Sequence, residues 1–324
     1  MATLSYSEAS RLAIAEAMRR DPTVWALGED LGRGGVFGQY AGLQAEFGPE
    51  RIVDTPISES TIMGAAVGAA LLGTRPIVEM RFSDFALCAV DELVNQAAKA
   101  RYMFGGQGRV PLVVREPIGM WRSSAAQHSQ SLEAWYAHMP GLVVVCPATP
   151  ADNKGLMTAA IRCDDPVVYM EHKNMWARTG EVPEGDHVVP IGVARIARPG
   201  RDVTIVTWSA MVEVCEQGAA QAEARGVSAE VIDLRTLWPW DREAVMASVE
   251  RTGRLLVVHE AVEVGGFGAE IAASVAERLH RRLKSPVRRM GAPRLPVPYA
   301  PPLEAVCKIT AGDVAAALAR VAAA

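Results

Sequence analysis

The sequence predicts an α/β protein built as two tandem doubly wound α/β domains, and three observations carry that prediction. Short β-branched runs alternate with amphipathic segments almost from end to end, the pattern of parallel sheets covered by helices on both faces. The alternation lapses once, between about Trp176 and Asp202, where Pro183, Gly185, Pro190, Pro199 and Gly200 punctuate the chain. A length of 324 residues is enough for two separate cores. The expected organisation is therefore a first domain over 1–185, a linker over 186–201 and a second domain over 202–324.

The elements follow in order. An amphipathic helix over 8–20 ends in Arg19 and Arg20, cations suited to the negative end of a helix. VWAL (24–27) is the first buried strand, and a helix over 41–47 stops at Gly48 before the strand RIVD (51–54). The next helix, 59–72, is made of Ala, Gly, Val, Ile, Leu and Met, with Ser58 at its N-cap and Glu59 in its first turn. PIVEM (76–80), VPLVVRE (110–116), LVVVC (142–146) and PVVYM (166–170) read as further buried strands, interleaved with helices over 86–103 and 151–162. After the lapse come VTIVTW (203–208), AEVIDL (229–234), RLLVVHE (254–260) and VRRM (287–290), with helices near 211–225, 241–251 and 267–282. An Ala-rich helix over 311–323 closes the chain.

Composition narrows the function. The net charge of −4 argues against a nucleic-acid surface or an anionic-membrane anchor. The longest apolar run, 62–72, is interrupted by Gly64 and Gly68 and is too short to span a bilayer. The amino terminus has neither the layout of a secretory signal nor that of an arginine-rich transit segment. Cys88, Cys146, Cys163, Cys215 and Cys307 are widely spaced with no CxxC pair, so the expectation is a reduced, cytoplasmic protein. GRGGVFG (32–38) fails the dinucleotide fingerprint because Phe37 takes the third glycine's place, and no P-loop, HExxH or GxSxG sequence is present.

Local features remain that suit chemistry. Glu59 sits at the mouth of an apolar helix with no countercharge along it, and two readings are open. Either it complements the helix dipole, or it shares a proton with a heterocycle in an apolar cleft. His128, within SSAAQHSQS (123–131), follows a strand and so belongs at the carboxyl edge of the sheet. There it is either a surface-loop histidine or a general acid/base and oxyanion donor. Glu29, in GEDLGRGGVFG (28–38), is a solvated acidic turn or a second acid at that same edge. Arg81, Phe85, Trp121 and Arg122 either face a ligand or are structural.

GEDLGRGGVFG, RIVDTPISE, GAAVGAALLGTRPIVEM, AAQHSQSLEAW, PGLVVVCPATPADNKGLMTAAIRCDDPVVYMEH, AEVIDLRTLWPWD and VERTGRLLVVHEA stand in this order along the chain. Together they resemble the β-subunit of a thiamine-diphosphate-dependent 2-oxoacid dehydrogenase, the decarboxylating component of pyruvate, branched-chain 2-oxoacid or acetoin dehydrogenase complexes. The resemblance implies a transketolase-like fold, a pyrimidine-binding domain followed by a transketolase C-terminal-like domain. It also implies an α₂β₂ heterotetramer with an α-subunit. A noncatalytic homologue is the alternative, which the joint presence of Glu59, His128 and Phe85 disfavours.

By resemblance, Glu59 hydrogen-bonds the aminopyrimidine ring, Phe85 packs against it, and Glu29 lies in a tunnel between two active sites. His128 would assist at the reacting end and in reductive acylation of a lipoyl group on an acyltransferase core. The GDG-then-Asn signature that holds Mg²⁺ and the diphosphate is absent, which the resemblance assigns to the α-subunit. It further implies a K⁺ site of backbone carbonyls at Leu112, Ala160, Ile161, Cys163 and Asp165. Cys163 stands there for a common aspartate and Asp165 for an asparagine, changes that carbonyl ligation survives. A specialised acyl group or a carboxylate contact is the reading for Arg81, Trp121 and Arg122.

Overall fold

The computed structural model describes residues 1–324. Two compact units emerge, Met1–Ile118 with Trp135–Ile191, and Gly119–Ala134 with Gly192–Ala324. The second unit thus takes in a segment that the sequence places inside the first domain. Long-range contacts are the reason. The Met120 N–H donates to Glu260 Oε1 at 2.7 Å, and the Trp208 indole N–H donates to Glu133 Oε1 at 3.1 Å.

In the first unit the strands are β1 (Ala2–Ser5), β2 (Val24–Gly28), β3 (Ile52–Asp54), β4 (Arg75–Glu79), β5 (Val113–Arg115), β6 (Val143–Val145), β7 (Val167–Tyr169) and β8 (Thr179–Val182). Its main sheet runs β6-β7-β5-β4-β2-β3 with every pairing parallel, while β1 and β8 form a small antiparallel pair. The helices are α1 (Tyr6–Arg20), α2 (Leu43–Phe47), α3 (Glu59–Leu71), α4 (Ser83–Ala86), α5 (Ala98–Met103), α6 (Glu133–Ala137, at the chain's re-entry into this unit) and α7 (Pro150–Arg162). A capping box between Ser5 and Glu8 starts α1, and Thr149 with Pro150 starts α7, so both helices begin where their free N–H groups find partners. These two helices pack against one another, and Ile14, Met18, Leu156 and Met157 join Ile77 and Val167 in one fully buried core.

The segment expected as a helix over 86–103 is helical throughout but changes its hydrogen-bond spacing along its length. A 3₁₀ turn at Leu87–Ala89 and a π-helical stretch at Asp91–Ala97 separate α4 from α5. Extra residues of this kind re-aim a helix, and such stretches are frequent at functional sites.

In the second unit, β9 (Arg195–Arg198), β10 (Val203–Thr207), β11 (Ala229–Asp233), β12 (Thr236–Trp238), β13 (Leu255–Val262) and β14 (Arg288–Ala292) alternate with α8 (Met211–Glu223), α9 (Arg242–Thr252), α10 (Gly268–Leu279), α11 (Pro301–Cys307) and α12 (Ala311–Ala323). The 5-stranded sheet has the order β14-β13-β10-β11-β9. Only β9 runs antiparallel, at the edge beside β11, and it lies inside the stretch expected to be linker. Val314, Leu318 and Val321 of α12 bury against Cys215 and Ala219 of α8 above this sheet. No helix is long and apolar enough to cross a membrane.

Candidate active site

The site is laid out by one row of residues across the first sheet. Asp54, Gly28, Glu79, Arg115, Tyr169 and Val145 are paired neighbours at the carboxyl ends of their strands. Loops leaving such ends carry the ligand-facing residues of open α/β folds. Gly28 is required there, since a Cβ would lie 2.6 Å from the Glu79 carbonyl oxygen.

Beneath the loops, Arg115 bridges Glu79 and Glu171, with side chains 1%, 5% and 1% exposed. The Arg115–Glu79 bond is 2.8 Å, Asn153 donates to Glu171 Oε1 at 2.6 Å, and Gln39 donates to Glu79 Oε1 at 3.2 Å. Burial pushes Glu79 up to about 7, against the pull of Arg115. Gln39 in turn accepts the Phe37 N–H at 2.8 Å, and Asp54 accepts the Gly32 N–H at 2.8 Å, so the glycine-rich loop is pinned from below. Sequence reasoning missed this triad. Its signal was a charged residue ending each of two otherwise apolar strands, PIVEM and VPLVVRE.

At this same edge Glu29 follows β2, and Glu59 opens α3 after β3. Burial raises the Glu29 carboxyl above its ordinary range; Arg81 opposes that rise, while Glu59 and Asp30 add to it. Glu29 is 12% exposed and so is not a solvated turn. Arg81 lies 2.8 Å from Asp30 and 3.7 Å from Glu29, so its charge is already matched by two acids. Glu59 is half-buried at the start of α3. Ser58 occupies the N-cap position but its hydroxyl donates to the Pro56 carbonyl at 3.1 Å, leaving the helix start without a side-chain cap. The cap expected from the sequence is therefore not made, because the hydroxyl turns back to its own loop. Phe85 belongs to an aromatic cluster with Phe82 (ring centroids 5.6 Å apart), which reaches Phe37 and, through a 3.7 Å stack, Trp176.

His128 belongs to the second unit, half-buried in a loop where Arg122, Ser123 and Ala125 have φ of 46°, 56° and 62°. Positive φ in side chains with a Cβ stores strain, which tertiary contacts must hold. Glu304 of α11 hydrogen-bonds Ser123 and supplies one such contact. Arg122 stacks over Trp121 at 5.2 Å.

The carbonyls at the carboxyl end of α7 are already engaged. Arg75 donates to Ile161 and Cys163 at 3.0 Å each, and to Asp164 at 2.7 Å. Cys163 N–H donates to Ala160 at 3.1 Å, Val167 N–H to Leu112 at 2.8 Å, and Arg101 holds the Asp165 side chain at 2.5 Å. No group of His, Cys, Asp and Glu side chains is arranged to hold a metal ion.

Comparison with known proteins gives this geometry a family. The model for the transketolase pyrimidine-binding domain matches residues 2–178, and that for the transketolase C-terminal domain matches 192–314. The chain is 44% identical to the 2-oxoisovalerate dehydrogenase subunit beta of Bacillus subtilis, covering 98% of each. It is 46% identical to the acetoin:2,6-dichlorophenolindophenol oxidoreductase subunit beta of Cupriavidus necator, over 97% of this chain and 96% of that one. Against the pyruvate dehydrogenase E1 component subunit beta of Rhizobium meliloti the identity is 44%, over 94% of this chain and 66% of the relative. Among solved structures, a split-gene transketolase described as an inactive beta4 tetramer superposes with a TM-score of 0.80 at 25% identity, covering 99% of this chain and 98% of that one. The chain belongs to the transketolase-like family of β-subunits of thiamine-diphosphate-dependent 2-oxoacid and acetoin dehydrogenases.

Proposed function

We propose that this chain works with an α-subunit in an α₂β₂ enzyme that decarboxylates a 2-oxoacid and passes the acyl unit to a lipoyl group of an acyltransferase core. The observation that carries the reading is the placing of Glu29 and Glu59 after β2 and β3, at the carboxyl edge of the first sheet, with Glu59 at the start of α3. The residues fit an aminopyrimidine. A half-buried carboxyl at an uncapped helix start can exchange a proton with a ring nitrogen, and an aromatic cluster offers packing for the ring. Glu59 would hold that proton at N1′, Phe85 would support the ring, and Glu29 would stand as a second acid at the same edge. His128 would donate to the oxygen that develops charge at the reacting end. When bound, thiamine diphosphate supplies the carbanion chemistry, and its diphosphate and Mg²⁺ fall to the α-subunit.

Changing Glu59→Gln tests this directly. The α₂β₂ assembly should still form by size exclusion, while 2-oxoacid-dependent dye reduction falls by about 10²–10⁴-fold. Near-full activity would remove Glu59 from the proton chemistry. Acetoin cleavage is the second reading, favoured by the acetoin relative's match along nearly the whole chain. Assaying the paired subunits with 2-oxoacids and with acetoin separates the two.

A monovalent cation is also part of the proposal. The carbonyls of Ile161 and Cys163 each bond Arg75, yet every carbonyl oxygen has a second lone pair, so K⁺ would share them with the guanidinium. Replacing KCl by N-methylglucamine chloride at equal ionic strength should then lower the melting temperature by a few degrees, as for any ligand bound only by the folded state. Identical melting would exclude the site. A cytoplasmic location agrees with five free cysteines, Cys88, Cys146, Cys163, Cys215 and Cys307.

A further inference from the structure

Glu116 is a buried titratable group with no part in the chemistry proposed above. It follows β5 directly, at the carboxyl edge of the first sheet, and is fully buried together with Ser83 and Tyr136. From α4 the Ser83 hydroxyl donates to Glu116 Oε2 at 3.1 Å, and from α6 the Tyr136 hydroxyl faces the same carboxyl. The nearby cations are engaged elsewhere. Arg115, the preceding residue, bonds Glu79 and Glu171, and Lys173 stands 4.6 Å from the centre of the Phe82 ring. The charge that does act on Glu116 is Asp84, a like charge that is itself buried. Burial, with Asp84 adding to it, pushes the Glu116 carboxyl up to about 8 against the pull of Ser83 and Tyr136.

What Glu116 touches is the mounting of Phe85. The Met80 and Ser83 N–H groups donate to the carbonyls of Arg115 and Pro117 at 3.0 Å each. The stretch from β4 into α4 therefore hangs from the residues on either side of Glu116. Phe85 is the third residue of α4; its N–H donates to the Phe82 carbonyl at 3.0 Å and its ring stands 5.6 Å from that of Phe82. With its proton, Glu116 is neutral and rests beside Asp84 in a dry site. Without the proton it draws Ser83 more strongly, but a negative charge then lies out of water and against a second one. That arrangement is costly, and the cost is relieved when α4 lifts and admits water.

We propose that Glu116 is a positioning residue: protonated, it seats α4 and the Phe85 ring against the sheet edge, and ionised, it unseats them. Cofactor binding that needs the seated ring then weakens as pH rises through about 8. By linkage, an occupied site holds the proton on Glu116 to higher pH. The effect on binding rests on the role proposed for Phe85; the seating of α4 concerns only the packing of the first unit.

Fluorine NMR of the full-length chain, labelled with 4-fluorophenylalanine at its six phenylalanines, tests the seating. The Phe85 signal is assigned by its loss in Phe85→Leu. It should move between about pH 6 and about pH 10 with a midpoint near 8, while that of Phe267 in the second unit holds still. In Glu116→Gln, which keeps an acceptor for Ser83 and cannot ionise, the Phe85 signal should stay at its neutral-pH position throughout. In the enzyme assembled with the α-subunit, calorimetry should show wild-type affinity for thiamine diphosphate falling about tenfold by pH 9 relative to Glu116→Gln, since about a tenth of Glu116 keeps its proton there. A Phe85 signal that ignores pH, or that titrates equally in Glu116→Gln, overturns the proposal. So does a wild-type affinity that tracks the glutamine variant's across this range. An assembled wild-type enzyme that binds no thiamine diphosphate removes the function proposed above instead, and the fluorine signal still decides the role of Glu116.

Discussion

In the first unit Arg115 lies between Glu79 and Glu171, all sealed from solvent, whereas the second unit fills its interior mostly with neutral polar groups. There the hydroxyls of Thr204, Ser248 and Thr252 bond one another at 2.7 and 2.8 Å. His259 stacks on Trp208 with ring centroids 5.3 Å apart and shares a 3.0 Å hydrogen bond with the Ala261 carbonyl. Among its buried carboxylates, Glu230 is matched by the half-exposed Arg251 at 2.6 Å and Asp233 by Arg195 at 3.1 Å. Burying ions costs free energy that hydroxyl clusters do not incur. The first unit carries that cost directly beneath the loops of Glu29 and Phe37, where the ions fix loop position. In the second unit the buried carboxylates Glu133 and Glu304 instead bond Trp208 and Ser123, on either side of the loop that carries His128.

The largest break in this contrast comes from removing the central cation. Arg115→Met leaves two buried carboxylates without their cation and should destabilise the protein by about 3–5 kcal/mol, read by urea unfolding at pH 7. A loss below about 1 kcal/mol would show that the triad is not what holds the first unit. Next is Glu116, fully buried, bonded to Ser83 at 3.1 Å and near Asp84, with no cation beside it; burial pushes it up to about 8. The folded chain then keeps its proton where the unfolded chain releases it, so stability falls as pH rises from about 4.5 to about 8. Glu116→Gln should remove that fall and gain about 3 kcal/mol relative to wild type between pH 5 and pH 8. Parallel pH profiles for the two proteins would place the carboxyl's titration elsewhere.

The smallest effect belongs to the second unit. Burial depresses His259 from 6.5 to about 4, so the unfolded chain binds a proton that the fold refuses. Stability should be complete above pH 6.5 and be lost as pH falls through 4. His259→Phe should spare about 2 kcal/mol of that acid loss, measured as the difference in unfolding free energy between pH 7 and pH 4.5. An unchanged acid limb would mean that His259 is protonated within the fold.

Much of this architecture was legible in the chain. Runs such as VPLVVRE and VTIVTW fell on strands because a parallel sheet buried on both faces demands continuous apolar residues, a local property. Glu59 was legible as an acid at a helix mouth. Its neighbour Glu29, nearly enclosed, was not, because enclosure depends on where Arg81 and the glycine loop fold back. The triad escaped for a related reason: Glu79 and Arg115 are 36 residues apart, and only strand register makes them neighbours. The helix over 86–103 read as continuous because a π-helical turn keeps the same composition and changes only the hydrogen-bond spacing. The excursion of 119–134 into the second unit had no composition shift to announce it.

That excursion matters to anyone recombining this family. A chimera joined once near residue 191 would draw the loop of His128 from one parent and its supports, Glu260 and Trp208, from the other. Shuffling should instead treat 119–134 and 192–324 as a single inherited block, with crossovers on either side of the loop as well as after the first unit.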